Sequence, residues 1–167
     1  MGSHTKQSNV KHERRHDRLI QEVDHDPYKT KTKRVQPTVC PQCSAVYQKG
    51  RWTWGEHPGD AYRMLCPACL RIRDDLPAGC LTLSGGFFSN NKEEVLNRIR
   101  NIEEREQREY PLKRVMDIEE YNDYVTVSFT DAHLTRNAGE TLYHAYLGDL
   151  DFHYAEEDNM LRVSWRR

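Results

Sequence analysis

The spacing of apolar residues predicts an α+β domain over residues 80–167. Alternation with period two, which is typical of strands, occupies residues 80–84, 124–129, 150–154 and 161–165, and a further strand is predicted over residues 112–118. Helical spacing occupies two segments, whose buried stripes are Val95, Leu96, Ile99 and Ile102, then Leu134, Ala138, Leu142 and Ala145. The resulting order, β-α-β-β-α-β-β, predicts helices packed on one face of a largely antiparallel sheet.

Polar residues mark where the two predicted helices begin. Asn90 or Asn91 stands three residues before Glu93 or Glu94, which is a capping pattern for the first helix. Thr130 is the predicted cap of the second helix.

Residues 37–79 carry shorter strand patterns. The predicted elements are strands over residues 45–47, 51–54 and 61–65 and a short helix from Pro67 to Arg73. Alternation places Trp52 and Trp54 on one face of their strand. We expect both to form the core of a module that has little else to bury, while stacking on unpaired bases is the second interpretation.

Two cysteine pairs lie within this segment. They are Cys40 with Cys43 and Cys66 with Cys69, and 22 residues separate the pairs. Four thiolates in two tight turns match the tetrahedral coordination of Zn²⁺. Two disulfides are the alternative, but no secretory signal precedes the cysteines, and Cys80 makes their number odd. The spacing predicts a zinc ribbon whose one zinc ion is structural, because four cysteines leave no position for an activated water.

Charge is distributed unevenly along the chain. Residues 1–36 carry nine lysines and arginines against five acidic residues, whereas residues 83–167 carry eleven against seventeen. Residues 1–36 also contain few core-forming side chains, so we expect a basic extended arm that is disordered when free. A basic arm before an acidic body indicates contact with a polyanion at one end of the chain.

Basic residues of the arm and the ribbon are the candidate RNA contacts. Lysines and arginines would meet phosphates, and neighbouring aromatic side chains could stack on unpaired bases. The predicted contacts are Arg14, Arg15, Arg18, Lys29, Lys31, Lys33, Arg34, Lys49, Arg51, Arg63, Arg71 and Arg73. Of these, Arg71 and Arg73 are expected to be exposed on the short helix.

The sequence also argues against a membrane protein and against an enzyme. No apolar run approaches the roughly 18 residues of a membrane span, and polar residues follow Met1, which favours a cytoplasmic protein. No nucleophile–base pair stands out, and His133 and His144 lack metal-type spacing. Cys80 is expected to be a small buried residue at a strand start.

Several segments together carry a resemblance to a known family. They are residues 15–19 and 25–29, both cysteine pairs, residues 50–52 and 83–85, Asn101, residues 111–112, 130–134 and 162–165. On these, the chain resembles a bacterial family of small zinc-ribbon proteins related to the amino-terminal zinc-binding region of the adaptor that exports the large ribosomal subunit from the nucleus. The chain lacks that adaptor's additional cysteine pairs and its export region. The resemblance therefore implies association with ribosomes or ribosomal RNA and does not imply nuclear export.

The preferred hypothesis has three parts: a basic arm over residues 1–36, a zinc ribbon over 37–79 and an α+β domain over 80–167. Its function would be RNA binding on the ribosome, with a role in stress or dormancy. One alternative is a DNA-binding transcriptional regulator that uses the ribbon and the arm; the acidic body counts against the wrapping of DNA. The other is an enzyme with its site in the α+β domain. Oligomeric state has no signature in the sequence.

Overall fold

The computed structural model describes residues 27–28, 33–155, 157 and 159–167. Over these residues the chain forms β1 (Thr38–Val39), β2 (Val46–Gln48), β3 (Arg51–Thr53), β4 (Tyr62–Arg63), α1 (Pro67–Asp74), β5 (Gly79–Ser84), α2 (Gly86–Asn90), α3 (Lys92–Gln107), β6 (Val115–Glu120), β7 (Tyr124–Phe129), α4 (Ala132–Tyr146), β8 (Asp149–Ala155) and β9 (Met160–Arg166). No helix in the described ranges is long and apolar enough to cross a bilayer. Most of the predicted basic arm lies outside these residues.

β5 is the middle strand of a five-stranded sheet, which we call the body together with α2, α3 and α4. The strands lie in the order β6-β7-β5-β9-β8. β5 pairs antiparallel with β7 and parallel with β9, and both outer pairs are antiparallel. The predicted α+β class with a largely antiparallel sheet is confirmed. The observed element order differs from the predicted one by the short helix α2.

The body's core lies between this sheet and its two long helices. Leu81, Val127 and Val163 are in register across the three middle strands, and all three are buried. Burying a side chain of this size contributes about 1.5–3 kcal/mol. In α4 the predicted buried stripe is wrong at its end, where Ala145 is exposed and Tyr146 is buried. Steps of four residues from Leu142 lead to Tyr146, which explains the difference.

The opposite face of the sheet is polar. Thr82 of β5 stands between Thr126 of β7 and Ser164 of β9 on this face. Arg162 and Arg166 of β9 flank Ser164 and are exposed. Both helices therefore belong to one layer, and this second face is lined by hydroxyl and charged groups.

The helix caps differ in detail from the predicted ones. Asp131, rather than Thr130, is the cap of α4, since its side chain accepts a hydrogen bond from the Leu134 N–H at 2.8 Å. The Thr130 hydroxyl instead donates to the Leu112 carbonyl at 2.6 Å. Asn91 precedes α3 as predicted, but its side chain makes no cap bond.

A second sheet of four short strands, with α1, forms what we call the cysteine module. Its order is β3-β2-β1-β4, in which β1 and β4 are parallel and the other pairs antiparallel. The strands β3 and β4 lie within the predicted segments, and β2 extends one residue beyond its segment, to Gln48. The sequence did not predict β1, because two residues are too few to show a period.

The two tryptophans of the module have different environments. Trp52 is 9% exposed, as predicted, whereas Trp54 is 42% exposed, and its predicted core position is wrong. β3 ends at Thr53, so strand alternation does not extend to Trp54. The Trp54 indole N–H instead donates to the Gln107 carbonyl of α3 at 2.7 Å.

The module joins the body without a spacer. The Ala78 N–H donates to the Phe129 carbonyl at 2.8 Å, and the Leu161 N–H donates to the Ala78 carbonyl at 3.0 Å. Gly79 then passes so close to Thr135 of α4 that any Cβ there would overlap its side chain. The chain therefore enters the central strand directly from the cysteine module.

Candidate metal centre

Cys40, Cys43, Cys66 and Cys69 meet at one point of the cysteine module. Their sulfurs all lie within 4.8 Å of one another, and the Cys43 and Cys66 sulfurs are 3.7 Å apart. Metal–sulfur bonds of about 2.3 Å in a tetrahedron place the sulfurs about 3.8 Å apart. All five cysteines are free thiols, so no disulfide forms here. The site fits one tetrahedral metal ion held by four sulfurs, as the sequence predicted.

Local backbone structure aims the sulfurs at this point. In the first turn, the Ser44 N–H donates to the Cys40 carbonyl at 2.9 Å, and Ser44 adopts a left-handed φ of 69°. In the second, Cys66 is the N-cap of α1 and Pro67 takes the first helical position, where a missing N–H costs nothing. Each pair is therefore held by a turn whose geometry depends little on the rest of the fold.

Backbone N–H groups already point at two of the sulfurs. The Cys66 N–H donates to the Cys40 sulfur at 3.3 Å, and the Cys69 N–H donates to the Cys66 sulfur at 3.4 Å. Burial opposes ionisation of Cys40, but hydrogen bonds from the backbone N–H groups of Cys66, Cys43 and Gln42 lower its pKa to about 7. Burial raises the pKa of Cys66 and of Cys69. The polypeptide alone thus favours the thiolate of Cys40 and opposes that of Cys66 and Cys69, which a bound cation would favour.

Arg114 supplies a fixed positive charge to this site from outside the module. Its Nη1 lies 3.4 Å from the Cys69 sulfur and its Nη2 lies 3.8 Å from the Cys66 sulfur. Its Nε donates to the Pro111 carbonyl at 2.8 Å, which fixes the guanidinium plane. Burial alone would lower the pKa of Arg114, but the sulfurs raise it, so the side chain stays charged. Four thiolates and one divalent ion carry two negative charges, and Arg114 offsets one.

Sequence reasoning missed Arg114, and no local signal could have found it. The residue precedes β6 in the body, 45 positions after Cys69. No motif connects such a position with a cysteine pair. Only the packing of residues 111–114 against the module brings them together.

Apolar side chains enclose the sulfurs. Trp52, Ala45 and Ala68 are buried beside them, and Leu112 from the body packs against the same cluster. The Tyr47 ring tilts against Trp52, with ring centroids 5.5 Å apart. This packing limits water access, as a structural metal site requires.

The predicted RNA contacts are in part outside the described residues. Arg14, Arg15, Arg18, Lys29 and Lys31 lie there. Among the others, Lys33, Lys49, Arg51 and Arg63 are exposed, and their side chains have no ion pair or hydrogen bond within the described part of the chain. These four are available to a ligand.

Arg34, Arg71 and Arg73 differ from those four. The Arg34 guanidinium lies 5.9 Å and 5.8 Å from the ring centroids of Tyr47 and Trp52, so the side chain is partly buried over the module's aromatic residues. Arg73 is exposed as predicted and pairs with Asp74 at 2.7 Å.

The expected exposure of Arg71 is wrong. Arg71 is 7% exposed, its guanidinium lies 4.6 Å from the Tyr28 ring centroid, and its Nη1 donates to the Leu76 carbonyl at 3.0 Å. A helix this short has one face on the module, and Arg71 falls on that face with Ala68. Its long side chain therefore packs against the chain that follows the carboxyl end of α1.

The exposed cations do not form one compact cluster. Lys49 and Arg51 lie at the β2–β3 turn and on the edge strand β3, whereas Arg63 lies on β4, the opposite edge. Three strand spacings, about 14 Å in total, separate the two edges. Exposed Tyr62 and Trp54 accompany them. An extended polyanion can reach both edges, but a small anion cannot.

Cys80 does not belong to the metal site. Its thiol donates to the Met160 sulfur at 3.5 Å, and burial raises its pKa. It is half-buried rather than fully buried, on the polar face of β5.

Comparisons with known proteins do not place the chain in a family. No family profile, no curated protein and no solved structure matches it.

Proposed function

We propose that this chain is a zinc-stabilised RNA-binding protein that associates with the ribosome. The metal is taken to be zinc because a closed set of four cysteine sulfurs is typical of structural zinc sites. A metal with four protein ligands cannot activate a water unless a ligand leaves. The centre is therefore assigned to folding, and binding is assigned to the surface of the module.

One observation carries the RNA-binding part of the proposal. Lys49, Arg51 and Arg63 extend from the module, beside exposed Tyr62, and Lys33 is exposed shortly before it; none of the four cations has a partner in the described residues. Unpaired cations interleaved with exposed aromatic rings suit a single-stranded nucleic acid, whose phosphates and unstacked bases are both accessible. The ribosome is proposed as the source of that RNA because of the family resemblance, and a role in dormancy or stress has the same basis.

Co-sedimentation with ribosomes tests this function. We expect the full chain to sediment with ribosomal particles at low salt and to dissociate as salt rises, because each phosphate contact releases counterions. Lys49→Gln with Arg51→Gln should weaken the association. Arg162→Gln with Arg166→Gln removes the same charge from the polar face of the sheet and should not.

Competition experiments separate RNA from DNA. A single-stranded RNA of fixed length should displace the chain from ribosomes more effectively than duplex DNA of equal charge. Stronger displacement by duplex DNA would favour the transcriptional regulator. A chain that never enters the ribosomal fractions at low salt would remove the ribosomal proposal.

A further inference from the structure

A polar groove lies between α3 and α4, distinct from the metal centre. It has a volume of about 380 Å³ and is lined by Glu94, Asn97, Arg98, Asn101, Ile102, Arg105 and Thr141. Only Ile102 among these is apolar, and it forms the buried floor. The rest offer two guanidinium groups, two amides and one hydroxyl against a single carboxylate.

Arg98 is held in place before any ligand arrives. Its Nε donates to the Tyr146 hydroxyl at 3.0 Å, and its guanidinium lies 5.1 Å from the Tyr146 ring centroid. The Tyr146 hydroxyl in turn donates to Glu94 at 2.5 Å. Burial and this bond raise the pKa of Tyr146, which keeps the hydroxyl protonated. The two terminal nitrogens of Arg98 have no partner in the described residues, so an oriented fork of donors remains free.

Three glutamates of α3 outside the groove are paired. Glu103 accepts from the Val115 N–H at 2.7 Å, and Glu104 pairs with Arg108 at 2.6 Å. Glu106 pairs with Lys113 at 2.8 Å and more loosely with Arg105, at 3.8 Å. Glu94, the one carboxylate in the groove, already accepts from Tyr146. The groove therefore presents net positive charge although α3 as a whole carries more glutamates than cations.

Two asparagines, which are weak helix formers, lie along this groove. Asn97 and Asn101 are exposed one turn apart in the middle of α3, where asparagine stabilises a helix less than glutamate, lysine or alanine does. The Asn101 side chain has no hydrogen-bond partner in the described part of the chain. Its amide can donate two hydrogen bonds to a ligand oxygen.

The cysteine module contacts the end of α3 near this groove. Trp54 of the module binds the Gln107 carbonyl, and Arg105 stands two positions before Gln107, about 3 Å along the helix axis. Arg98 and Arg105 are separated by about 10 Å along that axis. Two cations at this separation can contact two phosphates of one extended strand.

We propose that the α3–α4 groove binds phosphates of the same single-stranded RNA that contacts the cysteine module. Arg98 and Arg105 would pair with phosphate oxygens, and Asn97 and Asn101 would donate to phosphate or ribose oxygens. This inference rests on the proposed RNA-binding function and adds a second contact surface to it.

The test compares three double variants of the full chain binding a short single-stranded RNA across a salt series. Arg98→Gln with Arg105→Gln should lower the slope of log affinity against log salt by about 1.4, which is two contacts at about 0.7 each. Lys49→Gln with Arg51→Gln should lower it similarly, and Arg162→Gln with Arg166→Gln should leave it unchanged. Thermal unfolding checks that each variant is folded, and Arg105→Gln alone, at an exposed position, should lower the slope by about 0.7 if the double variant is unstable.

The outcomes separate the two proposals. RNA binding that is weakened by the module variant but not by the groove variant, or that is weakened equally by the sheet-face control, overturns the groove assignment alone. An unmodified chain that binds no RNA overturns both.

Discussion

At the scale of single residues, the metal site depends on atoms from both parts of the chain. Two turns of the module supply four sulfurs, while a body residue, Arg114, contacts two of them. Charge balance therefore involves the body, whereas ligand geometry does not. Separate substitutions can distinguish these contributions.

Removing one ligand should eliminate the metal. Cys43→Ser or Cys69→Ser leaves three sulfurs, and structural zinc contributes about 10–16 kcal/mol in finger peptides, so the module should unfold. Cys80→Ser is the matched control, because Cys80 lies outside the cluster. This variant should retain one zinc per chain. Elemental analysis of purified protein measures the metal content. Full zinc occupancy in Cys69→Ser would contradict the four-cysteine assignment.

Arg114→Gln should weaken zinc binding without abolishing it. The variant loses a positive charge and the guanidinium hydrogen bonds to the sulfurs of Cys66 and Cys69. Loss of hydrogen bonds to metal ligands typically lowers metal affinity 10- to 100-fold. Competition with a chromogenic chelator measures the affinity. Arg100→Gln, on the exposed surface of α3, is the control. Affinity equal to that of the unmodified chain would show that the guanidinium contacts have no energetic role.

The cysteines themselves could be predicted from sequence because their spacing is a local property. Arg114 could not be, since its role arises from tertiary packing. Trp54 and Arg71 were misjudged for a related reason: β3 ends one residue before Trp54, and the short α1 turns Arg71 towards the module. Periodicity describes which face a residue occupies only while its element continues.

At the scale of elements, the strongly periodic segments were the predictable ones. β5, β7 and α3 follow their patterns closely, and α4 does so up to its last turn, because each buries a complete face or stripe. β1 has two residues and α2 has five, too few for a period to be evident. The sequence locates the N-cap of α4 only to within one residue, since both threonine (Thr130) and aspartate (Asp131) are residue types that cap helices.

Asp131→Ala should destabilise the body by about 1 kcal/mol, within a range of about 0.5–2. The substitution removes the acceptor for the Leu134 N–H and leaves that donor without its cap. Asp131→Asn retains an acceptor and should cost less. Urea unfolding followed by circular dichroism provides the free energies. Equal stability of the alanine and asparagine variants would contradict the capping role.

At the scale of the whole molecule, the cysteine module and the body share structure. Leu112 packs in the module's cluster, Arg114 contacts its sulfurs, and Trp54 binds the end of α3. Loss of metal should therefore affect body residues that touch the module.

Chelation of zinc should increase amide hydrogen exchange in two places. One is the module, whose fold would lose its metal. The other is the segment 110–115, which Arg114 ties to the sulfurs, whereas β7 and α4 should keep their protection because their contacts lie within the body core. Exchange measured by mass spectrometry with and without chelator tests this. An increase confined to residues 37–78 would mean that the module and the body are energetically independent.

The parallel pairing of β5 with β9 has a consequence for how the chain is made. Gly79 is in register with Leu161, so the middle strand leaves the ribosome long before one of its two neighbours exists. Until β9 emerges, β5 has an open edge and the buried side of α4 lacks part of its sheet. Such long-range pairing slows folding and leaves edges open to aggregation meanwhile. A nascent chain interrupted before β9 should therefore be a target for chaperones and proteases, while its cysteine module, complete much earlier, can already bind metal.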